Sequence, residues 1–215
     1  TERSITSLQS QGKTVVIVSV ENKEIGFIAM SDTVKDGAKS VMNRLHRMGL
    51  RTVMLTGDNQ RAGAFIAQQV GIDEVVADVM PDQKAAKIEQ LQKDGHHVVM
   101  VGDGINDAPA LVQADVGMAM ATGTDIAIES AGITLLGGDI QKIPQAISLA
   151  RATMRTIRQN LFWAFIYNLV GIPLASGALY PVIGLLLNPV FAGLAMAFSS
   201  VSVVGNSLRL KAKKL

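Results

Sequence analysis

Between Gln159 and Leu208 the chain carries no Asp, Glu, Lys or Arg, a run of fifty residues. A globular surface mixes charges of both signs along its length, so a gap of this size dictates a different environment. A hydrocarbon core takes roughly 20 apolar residues per helix, and fifty accommodate two spans and a turn. Tyr180-Pro181 is the predicted turn, leaving 161–179 and 182–205 as the spans. A helix predicted over 140–158 leads in, with Arg151, Arg155 and Arg158 on one face at four- and three-residue spacing. The tail Arg209-Leu-Lys-Ala-Lys-Lys214 is also basic. Positive charge flanks both ends of the hairpin, which puts both ends on the cytoplasmic side and the turn outside.

The residues before this run have a different texture. Thr14–Val20 and 25–30 read as strands joined by the polar turn Glu21-Asn-Lys-Glu24. Asp32-Thr33 can cap a helix that runs to Gly49. A strand over 51–55, a helix over Gln60–Val70, a short strand over 74–77 and a helix from Pro81 to Asp94 follow. Strands are predicted at 98–101, 115–120 and 133–136, with a short helix after Pro109 and a turn at 123–125. Strands alternating with helices predict an α/β fold: a doubly wound, mostly parallel sheet covered on both faces. His96 and His97 fit a polar strand entry, and Met42, Met48, Met100, Met118 and Met120 fit core filler.

Composition narrows the function. Net charge is +2, too small for a nucleic-acid footprint. There is no Cys, which excludes disulfides and thiolate metal sites within the chain. The opening Thr1-Glu-Arg-Ser has no signal-peptide character, and the chain reads as part of something longer.

The chemistry concentrates at strand ends. Four apolar residues, Val98 to Val101, lead into Gly102-Asp103-Gly104-Ile105-Asn106-Asp107-Ala108-Pro109. Pro109 suits the first turn of a helix. A tight turn carrying two carboxylates at the carboxyl end of a strand is where open α/β sheets hold ligands, and its hard oxygens suit Mg²⁺. Thr56 follows the 51–55 strand, and Lys84 sits near the start of the Pro81 helix. A hydroxyl and an ammonium for phosphate, with carboxylates for Mg²⁺, make a phosphoryl-transfer site. A carboxylate nucleophile is missing; Asp32 follows a strand but lacks the surroundings for that role.

Thr56-Gly57-Asp58, Pro81-Asp82-Gln83-Lys84 and the eight residues from Gly102 to Pro109 resemble the phosphorylation-domain motifs of P-type ATPases, a branch of the haloacid-dehalogenase superfamily. Asp32-Thr-Val-Lys35 resembles that family's Asp-Pro-x-Lys segment, with Thr33 in place of Pro. The resemblance implies a phosphoaspartate formed at an Asp-Lys-Thr-Gly-Thr motif, which is absent here, as is the Thr-Gly-Glu loop. It implies that Asp103 and Asp107 bind Mg²⁺ with support from Asn106, and that Thr56, Gly57, Asp58 and Lys84 serve the phosphoryl group. Tyr167-Asn168 in the penultimate span and Met196-x-x-Ser199-Ser200 in the last resemble the signature of the family's Cu(I) exporters. Met thioether suits Cu(I), and polar groups within a span are functional candidates. A Zn²⁺ pump would be expected to carry a carboxylate there, and none is present.

The expected chain is therefore the C-terminal portion of a copper pump, inactive on its own. Residues 1–24 would be the end of the ATP-binding nucleotide domain and its return strand, and 25–139 would be the C-terminal portion of the phosphorylation domain. Residues 140–160 would enter the membrane, 161–207 would form the hairpin and 208–215 a cytoplasmic tail. Its expected partners are the actuator, the nucleotide-binding domain and other transmembrane helices of the same pump, a copper chaperone and the lipid bilayer, with no nucleic acid. The implied location is integral and multi-pass in the cell membrane. The alternatives are a membrane-anchored phosphohydrolase with its own nucleophile, a pump for another heavy metal, and a non-catalytic membrane module.

Overall fold

The computed structural model describes residues 2–9, 13–21, 23–30, 33–103, 105–120, 128–177, 180–184 and 189–211. Two compact units divide at Pro144/Gln145, five residues beyond the expected 139/140 boundary.

In the first unit, helix α1 (Glu2–Gln9) precedes an antiparallel hairpin of β1 (Thr14–Val20) and β2 (Lys23–Met30). Strand β2 begins two residues earlier than predicted, and every residue along it is exposed. Helix α2 (Ala38–Arg47) starts later than the predicted Asp32-Thr33 cap. Gly37 adopts φ 79° and ends the preceding loop, while Asp32 lies outside the described residues. The predicted stop is where expected, with Gly49 at φ 74°.

The parallel part follows: β3 (Val53–Leu55), α3 (Gln60–Val70), β4 (Glu74–Val76), α4 (Pro81–Lys93), β5 (Val99–Gly102), α5 (Ala108–Gln113), β6 (Val116–Met120) and β7 (Ile133–Leu135). The strands form two parallel ladders, β3–β4 and β5–β6–β7, instead of the one sheet expected. No backbone ladder joins β3 to β5 among the described residues. Leu111 and Ala119 centre the core beside β6, with Met100, Ile128 and Ala131 packed on them. Met118 and Met120 are buried as expected, and Met42 and Met48 are half-buried. The 123–125 turn lies outside the described residues.

The N-terminal ends of both ladders are tied by the same device. Asp73, just before β4, accepts the Thr52 N–H at 2.7 Å and the Thr52 hydroxyl at 2.8 Å, with His46 Nε2 at 3.0 Å. Asp115, just before β6, accepts the Val98 N–H at 2.8 Å and the Gln92 amide at 3.1 Å, with His97 Nδ1 3.7 Å away. Hydrogen bonds from these backbone amides hold both carboxyls below their ordinary range. His97 is thus a strand-entry residue, as its sequence context predicts.

In the second unit, helix α6 (Lys142–Ala175) runs unbroken for 34 residues through the positions predicted as lead-in helix and first span. It stops four residues short of the predicted 179. Tyr180-Pro181, expected as a bare turn, begins the short helix α7 (Tyr180–Ile183), and α8 (Pro189–Lys211) follows. Among the described residues no helix is long and apolar enough to cross a membrane. An amide cluster links α6 to α8 within the unit. Asn160 Nδ2 donates to Ser207 Oγ at 3.0 Å, and Asn206 Nδ2 donates to Asn160 Oδ1 at 2.9 Å and to Gln159 Oε1 at 3.3 Å.

Candidate functional site

Strand β5 delivers the carboxylates. Its last residue, Gly102, is followed by Asp103, then by a single 3-10 turn (Ile105–Asp107) that feeds α5, with Pro109 in the first turn as expected. This turn folds Asp107 back over the strand end. Asp107 Oδ2 accepts the Asp103 N–H at 3.3 Å, and its other oxygen accepts Lys84 Nζ at 2.7 Å. Asp107 is buried, and the Lys84 side chain is only 18% exposed. A charge pair so desolvated is held by geometry as much as by attraction, because losing one partner strands the other.

Gly102 makes that fold-back possible. A Cβ placed there would lie 2.7 Å from Asp107 Cβ and 2.8 Å from its Oδ2. The carboxylate occupies the space that any larger residue would need.

Asp103 points outward, with its side chain 58% exposed. Lys35 Nζ approaches its Oδ2 at 3.9 Å. Lys35 belongs to the Asp32-to-Lys35 segment, but no local signal in the sequence places it beside Asp103, sixty-eight positions along the chain. Asn106 is exposed within the 3-10 turn.

Strand β3 delivers the second group. Thr56 follows Leu55; its hydroxyl donates to Asp58 Oδ2 at 3.0 Å and accepts the Asp58 N–H at 3.1 Å. Gly57 between them is exposed. The loop is tied to the approach to α4: Val79 N–H donates to Thr56 O at 3.0 Å, and Asp78 N–H donates to Asp58 O at 2.9 Å. Helix α4 then starts at Pro81, where Gln83 Oε1 accepts the Met80 N–H at 3.1 Å. One turn in, Lys84 turns to Asp107. The structure thus joins Lys35, Asp103, Asp107 and Lys84 directly, and it fixes the Thr56 loop to the helix that carries Lys84.

The donor set fits Mg²⁺. Every available group is a hard oxygen, and Mg²⁺ keeps several waters and needs only one or two carboxylates. Asp103 offers an outward carboxylate. Among the described residues no three His, Asp or Glu side chains cluster as a metal cage.

The second unit places the other expected residues less tightly. Asn168 Nδ2 donates to Ala164 O at 3.0 Å, one turn back on its own helix. Tyr167 is half-buried, with its ring 6.3 Å from that of Trp163. Ser199 is half-buried on α8. The Met196 side chain lies outside what is described. Among the described residues no hydrogen bond joins Tyr167 or Asn168 to Ser199. The Gln159, Asn160, Asn206 and Ser207 cluster is absent from the sequence-derived candidates, although amides bordering an apolar run are its signal.

The chain is similar to proteins of known function. The probable copper-transporting ATPase PacS of Synechococcus elongatus is 58% identical over 203 residues, covering 94% of this chain and 27% of that protein. A copper-exporting P-type ATPase of Staphylococcus haemolyticus is 55% identical over 214 residues, 100% of this chain and 26% of its own length. The chain thus spans about a quarter of the length of the curated relatives it matches. The crystal structure of a zinc-transporting PIB-type ATPase in its E2.Pi state matches with a TM-score of 0.80 and 37% identity, over 97% of this chain and 33% of that one. A family model described as haloacid dehalogenase-like hydrolase matches residues 2–115, more than half of the sequence. By that match the chain belongs to the haloacid dehalogenase-like hydrolase family.

Proposed function

We propose that this chain is the C-terminal portion of a Cu(I)-exporting P-type ATPase, with residues 25–139 contributing to its phosphorylation domain. The observation that carries the reading is Asp107, which holds Lys84 on one oxygen and the Asp103 N–H on the other. In this role Asp103, with Asn106 beside it, would hold Mg²⁺, which neutralises charge on the phosphoryl oxygens. Lys84 and the Thr56 hydroxyl contact the phosphoryl group itself, and Gly57 and Asp58 shape the Thr56 loop. Asp107 fixes the Lys84 ammonium and the Asp103 backbone; Mg²⁺ contact by Asp107 is the secondary part of its role.

The phosphorylated aspartate comes from outside residues 1–215. Strands β3 and β5 both end in site residues, and no ladder joins them among the described residues. In the intact protein a strand from outside residues 1–215 would bring the nucleophile to these strand ends. ATP is bound mainly by a separate nucleotide domain, and residues 1–24 would be its end and the strand that returns from it. The remaining partners are the actuator domain, further transmembrane helices of the same polypeptide, a copper chaperone and the bilayer.

The membrane assignment rests on the fifty uncharged residues bounded by basic clusters. It makes residues 161–207 a two-helix hairpin in the cell membrane, with the phosphorylation domain and C-terminus cytoplasmic. Tyr167, Asn168, Met196 and Ser199 then line the Cu(I) path. A pump for another heavy metal is favoured by one finding, the zinc-transporting structural neighbour. Against zinc, no Asp or Glu follows Asp139, and the nearer sequence relatives are copper transporters.

The test is Asp103→Asn in the intact protein, which abolishes Mg²⁺-dependent labelling from γ-labelled ATP; undiminished labelling would remove Asp103 from its assigned role. Met196→Ala lowers Cu(I) stoichiometry or transport, and unchanged copper handling would return the metal assignment to open competition. Residues 1–215 alone show no ATP turnover; measurable turnover would favour a self-contained phosphohydrolase.

A further inference from the structure

The second unit is charged in one sense only. Residues 145–215 hold seven Lys or Arg and no Asp or Glu, while residues 1–144 hold thirteen basic against eighteen acidic. An ordinary solvated face interleaves both signs, and this one does not.

Three of those cations are gathered on α6. Arg151, Arg155 and Arg158 fall within about 60° of helical arc, and Phe162 falls in the same sector one turn further on. All four are exposed, as are Met154 and Trp163 beside them. Together these six residues line most of an open groove of about 640 Å³. Arg155 and Arg158 make no ion pair among the described residues. The Phe162 and Trp163 rings meet edge-on at 5.6 Å and close the apolar end of the groove. From Arg158 to Phe162 the axial rise is about 6 Å, so the face passes from guanidinium to aromatic within roughly the depth of one headgroup layer.

We infer that this groove is a binding site for an anionic phospholipid, a role that rests on the membrane reading of the second unit. Arg155 and Arg158 take the headgroup phosphate through their planar forks, which match phosphate oxygens two at a time. Phe162, Trp163 and Met154 cover the glycerol and upper acyl carbons, where aromatic rings sit at a membrane interface. The occupant is a lipid because the cationic end adjoins an aromatic and then an apolar stretch; a soluble anion would gain nothing from those rings. Net attraction of such a cluster to an acidic leaflet is additive per cation, so losing two arginines matters.

The experiment uses the intact protein in nanodiscs of phosphatidylcholine mixed with phosphatidylglycerol, followed by native mass spectrometry of retained lipid. Phosphatidylglycerol is enriched on the unaltered protein. The double variant R155Q/R158Q loses that enrichment by about tenfold or more. R209Q/K211Q, which removes the same charge outside the groove, retains it. R155K/R158K keeps the charge but not the fork and falls between. Equal loss in R155Q/R158Q and R209Q/K211Q would overturn the site in favour of bulk charge, and no enrichment on the unaltered protein would overturn it outright. Alkaline carbonate extraction separates the two readings. A protein released by carbonate refutes membrane insertion itself, whereas one that stays without lipid preference refutes only the groove.

Discussion

Gly102→Ala isolates the feature on which the site depends. The added methyl would lie 2.7 Å from Asp107 Cβ, about 0.7 Å inside the 3.4 Å at which ordinary contact begins. Neither side can yield easily. Gly102 is held in the β5–β6 ladder opposite Ala119, which is fully buried. Asp107 is pinned by Lys84 at 2.7 Å and by the Asp103 N–H at 3.3 Å. Overpacking of this kind costs about 1–3 kcal/mol. Relief by rotating Asp107 outward transfers that cost to the site, because Lys84 loses its partner and the Asp103 turn loses its tie. If the whole cost falls on the transition state, labelling slows by about 5- to 150-fold. The assay is the initial rate of phosphoenzyme formation by the intact protein, with Gly26→Ala as control, since nothing lies within 4 Å of a Cβ there. A Gly102→Ala protein that labels at the rate of the control would refute the argument that the carboxylate needs that space.

Other perturbations test separate links. Lys84→Ala leaves Asp107 buried without its cation and destabilises the first unit by about 1–3 kcal/mol, a loss of roughly 3–10 °C in the melting midpoint for a unit of this size; an unchanged midpoint contradicts it. Asn59 caps α3 by accepting the Arg61 and Ala62 N–H groups at 3.1 and 3.0 Å, so Asn59→Ala costs about 1 kcal/mol and Asn59→Asp much less, measured by denaturant midpoint. Acid sensitivity follows from Asp73 and Asp115, whose folded pKa values lie below the ordinary 3.8. The unfolded chain therefore takes up protons first on acidification. The stability these groups contribute is present in full above about pH 4 and is lost as pH falls through their lower folded values. Asp73→Asn with Asp115→Asn flattens that acid limb, and a limb of unchanged slope would show that other carboxylates govern it.

Local signals carried most of the first unit. Helix α3 spans Gln60–Val70 as predicted, and the structure shows Asn59 capping its start and Gly71 its end, because capping chemistry is local. The apolar runs at 14–20 and 98–101 marked strands, since each is short and bracketed by turns. The errors arose where local signals were outvoted. Asp32-Thr33 looked like a cap, but Gly37 in the left-handed region starts α2 instead. The lead-in helix over 140–158 continues without a break through the first predicted span, because nothing there interrupts backbone hydrogen bonding.

Residue order alone dictates which groups are available: two carboxylates four residues apart after a strand, a lysine at a helix start, a threonine after another strand, and a long stretch without charge. These follow from residue type and spacing, which the backbone period converts into position. The pairings among those groups come from the folded chain. That Lys84 chooses Asp107 and Lys35 approaches Asp103, that Gly102 yields its side-chain space to a carboxylate, and that β3 and β5 remain unjoined among the described residues all depend on contacts between segments distant in the chain. Such contacts are set by packing of the whole unit, and no window of sequence contains them.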